Sequence, residues 1–282
     1  MVIECYRAGA IGDILMTTPA VRALKKKYQN SYIRYVTVTP DLILNNPYVD
    51  EVSPVGYDAD LKIYFEYPVG KGYPNKPLEK HIAEEFAECA GVELDTVRGD
   101  LILCDHEMKF AENAVKKLKK LVIATIHITA GWSPYKQWDV KLWQKVVDHF
   151  RGRIVFVQIG AKGEPVLKNV LSFVGMLNVR LAASMIYASD IFVGIDSFPN
   201  HVAAAFQKPA VVLFGSTSPI GSGYSTAINL WKGYDCSPCY REYNQISLHP
   251  KSPCPYEIKC MKNIKLDEVI YSIEKILRKV RK

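Results

Sequence analysis

The chain has 282 residues, 49% of them hydrophobic and 23% charged. That balance suits about two globular domains and excludes a wholly disordered or collagen-like chain. No uncharged apolar run reaches the roughly 18–20 residues of a membrane span, and the opening MVIECYRAGAIGD lacks the basic-then-apolar order of a secretory leader, so a cytoplasmic location is expected. The net charge of +7 gathers in Lys25–Lys27, in KKLKK at 116–120 and in RKVRK at 278–282. Such tracts suit a peripheral membrane surface, nucleic acid or phosphorylated ligands, and equally the solvated faces of helices.

In chain order, the β-branched run VIECY at 2–6 predicts a strand, followed by a glycine turn and a helix carrying Leu15, Val21, Leu24 and Tyr28 toward a core. Pro19 is expected either to kink this helix or to stand in its first turn behind Thr18. Strands are predicted at 31–38 and 60–67, a loop at 67–77, a helix at 79–91 closed by Gly91, and another at 107–120. The pattern then restarts. LVIATIHI at 121–128 reads as a buried strand, 139–150 as a helix capped by Asp139, and 153–160, 190–195 and 209–215 as further strands. Apolar residues at 266, 269, 270, 273, 276, 277 and 280 mark a last amphipathic helix. Alternating strands and helices predict two parallel α/β sheets in series, with ligands bound beyond the carboxyl ends of the strands, in the cleft between them.

Three strand-end loops are suited to chemistry. In Gly9-Ala10-Ile11-Gly12-Asp13 the glycines admit a ligand close to the backbone, while Asp13 stands at a helix start as a functional carboxylate or a plain cap. The loop from Thr129 to Trp138 offers Thr129, Gly131 and Lys136 to a pyrophosphate, with Trp132 and Trp138 as walls for a sugar or base, or else packs on its own domain. Asp196, Ser197 and His201 open a helix with Pro199 in its first turn, an arrangement that suits phosphate and equally an ordinary cap. A fourth element, Gly160 to Glu164, places a glutamate where it can take two ribose hydroxyls or simply face solvent.

Seven cysteines are present. Cys5, Cys89 and Cys104 are scattered and read as small hydrophobes or bystanders. Cys236-x-x-Cys239 followed by Cys254 and Cys260 suits a tetrahedral structural zinc, two disulfides or four free thiols.

Taken together, 7–29, the Thr129–Trp138 loop, QIGAKGE at 158–164 and the long block at 189–219 resemble glycosyltransferase family 9, the bacterial heptosyltransferases of lipopolysaccharide core synthesis. The resemblance implies a GT-B fold with domains at 1–120 for the acceptor and 121–265 for the nucleotide-sugar, and a helix at 266–282 crossing back to the first. It implies an inverting, metal-independent transfer of a heptose-like sugar from an ADP-linked donor to a glycan hydroxyl, at the cytoplasmic side of the inner membrane. By the same resemblance Asp13 is the catalytic base beside Gly9 and Gly12, Lys136 binds phosphates, Glu164 binds ribose, and Asp196, Ser197 and His201 form the phosphate-binding helix start. Cysteines like the late four occur in many members. No catalytic cofactor and no obligate protein partner are implied.

Two departures bear on the acceptor. Phe198 stands where the family often has glycine, and few residues separate Tyr67 from Leu121. Two other functions therefore stay open: a glycosyltransferase acting on nucleic acid or another phosphorylated acceptor, and a non-catalytic nucleotide-sugar-binding module.

Overall fold

A computed structural model describes residues 1–67, 78–118, 120–131, 133–239 and 254–280. The expected loop at 67–77 and the side chain of Trp132 therefore lie almost wholly outside the described residues. The first sheet has the order β3-β2-β1-β4, from β1 (Val2–Tyr6), β2 (Tyr32–Val36), β3 (Glu51–Ser53) and β4 (Leu61–Tyr64). The second has the order β10-β9-β8-β5-β6-β7, from β5 (Val122–His127), β6 (Ile154–Gln158), β7 (Leu171–Ser172), β8 (Ile191–Ile195), β9 (Ala210–Phe214) and β10 (Ala227–Trp231). All pairings are parallel. This is the two-sheet arrangement expected of a GT-B protein. The short β3 and β7 carry too little periodicity to be read from sequence, and β10 was not anticipated either.

The alternation of side chains along the second sheet sets its two faces. Ile123, Val212 and Phe214 pack inward into a core shared with the first sheet. Ala124, Ile126, Val211 and Leu213 pack outward under α4 (Val140–His149) and α9 (Leu266–Val280). Burial on both faces explains why these strands read as unbroken apolar runs. The inner core continues through α1 (Ile11–Lys27), α2 (Ile82–Cys89), α3 (Asp105–Val115), α5 (Val179–Ala188) and α6 (Phe198–Ala205), which fill the space between the sheets.

α1 continues through Pro19. Proline removes one N–H and leaves the carbonyl four residues earlier without its helical partner. Here that carbonyl, Leu15 O, accepts the Thr18 hydroxyl at 2.8 Å. The same hydroxyl receives the Asp100 N–H at 2.7 Å, tying the helix to the segment leading into α3. A first-turn proline is not realised, because the helix begins eight residues before Pro19.

The expectation that the last helix crosses to the first domain is corrected. Val269, Ile273, Ile276 and Leu277 bury against the outer face of the second sheet. Arg153 donates to Glu274 at 2.7 and 2.8 Å, and Lys232 to Glu268 at 2.7 Å, so the polar edges are fastened to that domain as well. The apolar stripe needs a flat apolar partner, and the uncovered outer side of β9 supplies it.

The domains are joined elsewhere. Arg180 on α5 reaches the first domain, donating Nε to Glu107 Oε1 at 2.5 Å and Nη2 to Glu107 Oε2 at 2.7 Å. It also donates to the Asp41 and Ile102 carbonyls at 2.6 and 2.7 Å. Of the basic tracts, Lys25 and Lys26 pair with Asp50 and Asp95 at 2.6 and 2.7 Å, which is the solvated-helix reading. Among the described residues, no helix is long and apolar enough to cross a membrane.

Candidate functional site

The carboxyl ends of β1, β5, β6 and β8 meet at a cavity of about 410 Å³ between the sheets, a size suited to a small organic ligand. Nine of the residues singled out from sequence line it: Gly12, Asp13, Gly131, Lys136, Gly160, Glu164, Asp196, Ser197 and His201. Gly9 and Thr129 do not. Gly9 turns the backbone at φ +118°, where residues with a β-carbon are strained. The Thr129 hydroxyl is buried in the loop without a partner.

From the first sheet, Asp13 enters the cavity in the opening turn of α1. Its Oδ2 accepts from Arg7 Nη2 at 2.5 Å. Arg7 also donates to the Phe65 carbonyl at 2.7 Å and lies over the Tyr67 ring at 4.7 Å, so the carboxylate is held from behind by a fixed cation. The cleft is narrow here: a β-carbon on Gly12 would lie 3.0 Å from His201 Cδ2 and 3.3 Å from its Nε2. Gly12 therefore brings the first turns of α1 and α6 into direct opposition.

From the second sheet, Ser197 precedes α6 but does not cap it with its side chain. Pro199 stands in the first turn, and the positive end of the helix faces the cavity. His201 Nδ1 is hydrogen-bonded to the Tyr224 hydroxyl at 2.8 Å, which turns Nε2 toward Gly12. Burial pushes His201 below the usual histidine range, although Asp196 and Asp13 act to raise it.

Asp196 lines the cavity and also holds its neighbours. Its Oδ2 accepts from Lys136 Nζ at 3.0 Å and Thr217 Oγ1 at 2.6 Å, and its Oδ1 from Ser222 Oγ at 3.0 Å. Burial would raise its pKa, but Lys136 and these donors outweigh it and hold the carboxyl below its usual range. The carboxylate thereby gathers an ammonium and two hydroxyls at the cavity wall. Trp138 is likewise corrected as a candidate wall: it is buried, donates Nε1–H to the Ile264 carbonyl at 3.0 Å and packs edge-on against Trp143.

On the far side, Glu164 aims over Gly160, where a β-carbon would fall 2.2 Å from Glu164 Oε2. That oxygen is buried and lacks a protein partner. His127, the last residue of β5, stands beside it. Arg7, His127, Thr217, Ser222 and Tyr224 were not foreseen from sequence. His127 and Arg7 were findable, since each ends or follows a strand whose next loop was already suspected. Thr217 and Ser222 follow β9 in a hydroxyl-rich run of the same kind. Tyr224 has no local signal.

The triplet Asp58-Ala59-Asp60 has the spacing of a metal-binding aspartate pair in sugar transferases, but it precedes β4 at the end of the sheet away from the cleft. There Asp60 accepts the Val2 N–H at 2.7 Å.

The late cysteines are neighbours, although among the described residues no three of their sulfur atoms lie within 4.8 Å of one another. Burial pushes the Cys260 thiol up to about 11, and Cys239, Cys254 and Cys236 are all close enough to add to the shift. Cys5 is buried and is pushed up to about 12 by burial alone, while Cys89 is exposed and Cys104 half-buried.

Residues 75–248 match the family model described as Glycosyltransferase family 9 (heptosyltransferase). The chain is 25% identical over 197 residues to lipopolysaccharide heptosyltransferase 3 of Escherichia coli, covering 61% of this chain and 54% of that protein. It is 24% identical over 322 aligned residues to lipooligosaccharide heptosyltransferase 2 of Campylobacter jejuni, covering 94% of this chain and 96% of that one. Among solved structures, it resembles a family 9 glycosyl transferase from Veillonella parvula, with TM-score 0.77, 18% identity and 99% and 97% of the two chains covered. It also resembles the Escherichia coli ADP-heptose lps heptosyltransferase II, with TM-score 0.74, 15% identity and both chains covered in full. At these identities the structural likeness establishes the fold.

Proposed function

Because the chain belongs to glycosyltransferase family 9, we propose that it moves a heptose-like sugar from an ADP-linked donor to a hydroxyl of a lipopolysaccharide-core type of glycan. The observation that carries this reading is the opposition of two unlike groups across one cleft. A carboxylate stands on the first turn of α1, and a helix start with Lys136 and His201 stands opposite.

In this reading the acceptor hydroxyl enters from the first domain and attacks the anomeric carbon. Asp13 takes its proton as the carbon–oxygen bond to the diphosphate breaks, with inversion. Arg7 holds Asp13 in place, which fits a base within hydrogen-bond reach of the acceptor. The negative charge growing on the leaving diphosphate meets Lys136, His201 and the positive end of α6. Lys136 and His201 are held before the reaction by Asp196 and Tyr224 respectively. The step as drawn uses no metal ion. Glu164 is suited to the donor's ribose.

The test is a thermal-shift screen of nucleotide-sugars followed by product analysis. A ligand at about 100 times its Kd stabilises the folded state by about 2.7 kcal/mol. ADP-heptose should raise the melting temperature and yield a transferred product of inverted configuration. Stabilisation by no nucleotide-sugar would overturn the reading.

We further propose that Cys236, Cys239, Cys254 and Cys260 hold one structural metal. A bound cation would favour the thiolates and staple the segment before α8 (Lys259–Lys262) to the β10 end of the sheet. Near-stoichiometric zinc in the purified protein supports the site. Four titratable thiols without metal reject it.

A further inference from the structure

We propose that His127 and Glu164 form a two-acceptor seat for the neighbouring hydroxyls of a ribose, which makes His127 a specificity-determining residue that selects ribonucleotide donors over deoxyribonucleotide ones. The inference rests on the donor-pocket reading above and adds to it a residue and a discrimination.

The protonation pattern comes from the hydrogen-bond chain. Ser197 Oγ lies 3.2 Å from the Ile195 carbonyl and 3.1 Å from His127 Nδ1. A serine has one hydroxyl proton. The carbonyl can only accept, so that proton goes to Ile195 O. Ser197 Oγ must then accept from His127, which puts the imidazole proton on Nδ1. Nε2 is left with its lone pair directed into the cavity that His127 lines.

Nε2 lies 3.9 Å from Glu164 Oε2, beyond hydrogen-bond reach. Both atoms are acceptors, so no proton links them directly. Glu164 Oε2 is buried and unpartnered, and His127 is 9% exposed. Burial holds His127 neutral, pushing it down to about 4 even with Glu164 acting to raise it. Two buried acceptors side by side call for two donors on adjacent atoms. A vicinal diol supplies them, one hydroxyl to each acceptor. Gly160 keeps the arrangement open, since any side chain there would displace the carboxylate. A ligand lacking one hydroxyl leaves a buried acceptor unpaired, which weakens binding by about tenfold.

The experiment is calorimetric titration with ADP, 2′-deoxy-ADP and 3′-deoxy-ADP, or the corresponding set for UDP, GDP or CDP if one of these binds instead. The wild type should prefer the ribonucleotide by about tenfold over each deoxy form. His127→Phe keeps a ring and removes both nitrogens. It should weaken ADP by about tenfold and erase discrimination at one hydroxyl only, while Glu164→Gln weakens discrimination at the other. His127→Gln, which restores a terminal acceptor, should recover part of the loss. Equal wild-type affinity for all three nucleotides overturns the seat without recourse to any variant. So does a folded His127→Phe protein that keeps both preferences. Failure of all four nucleotides to bind overturns the donor-pocket reading itself.

Discussion

The Arg180–Glu107 pair tests whether the two domains are fastened in solution as they are in the structure. The two side chains are 8% and 5% exposed, and the guanidinium makes four hydrogen bonds, two of them to backbone carbonyls of the first domain. Arg180→Met removes all four. Glu107 then remains buried with the Cys104 N–H at 2.8 Å as its hydrogen-bond donor. Removing one partner of a buried pair costs about 3–5 kcal/mol, whereas an exposed pair contributes about 0–1 kcal/mol. The larger figure applies because the stranded carboxylate cannot turn to water. Urea unfolding of wild type, Arg180→Met and Arg180→Met/Glu107→Leu measures it, with the double variant expected to recover much of the loss. Acidity gives a second check. Burial would raise the Glu107 pKa, but Arg180 and the Cys104 contacts hold it down to about 2. Its folded value is depressed, so the contribution is present above about 4.5 and is lost as pH falls toward about 2. Arg180→Met should weaken the protein chiefly above that window. A loss under about 1 kcal/mol at neutral pH would mean that the clamp is hydrated and the domains are not locked there.

Lys136→Ala should weaken ADP binding and slow transfer together, by about tenfold or more each, because a charge-assisted contact to phosphate is lost along with the partner of Asp196. Unchanged donor affinity would place the diphosphate elsewhere. Burial holds His81 down to about 3, His127 down to about 4 and His201 below its usual range. Each stays neutral when folded and gains a proton when unfolded. Stability is therefore full above about 6.5 and falls as pH drops below it, by up to about 1.4 kcal/mol per pH unit for each group. Denaturant melts at pH 7 and 5 check this, and equal stability at both would contradict it. Metal removal by a strong chelator should expose four thiols to a thiol reagent and lower the melting temperature, whereas thiols already fully reactive before chelation would refute the cysteine site.

Much of this was legible in the sequence because the strands of the second sheet are apolar on both faces, and their ends deliver Lys136, Glu164 and His201 to one edge. Gly12 and Asp13 were legible for the same reason, at the end of β1. What sequence concealed was the division of labour within the cavity. Trp138 read as a wall of the site, but its long-range partner Ile264 draws it into the protein, and the Thr217 and Ser222 partners of Asp196 left no local signal. The last helix misled in a related way: its stripe announces that it packs but not on which surface. Pro19 stands inside the helix rather than in its first turn, and there the Thr18 hydroxyl takes the place of the missing N–H.

The most direct measurement compares Asp13→Asn with wild type in a single turnover at saturating ADP-heptose, with ADP affinity taken on the same samples. The variant should bind ADP within a few-fold of wild type while transfer falls by about 10²–10⁴-fold, the range general-base catalysis supplies. Transfer at the wild-type rate would contradict the placement of the proton acceptor on α1.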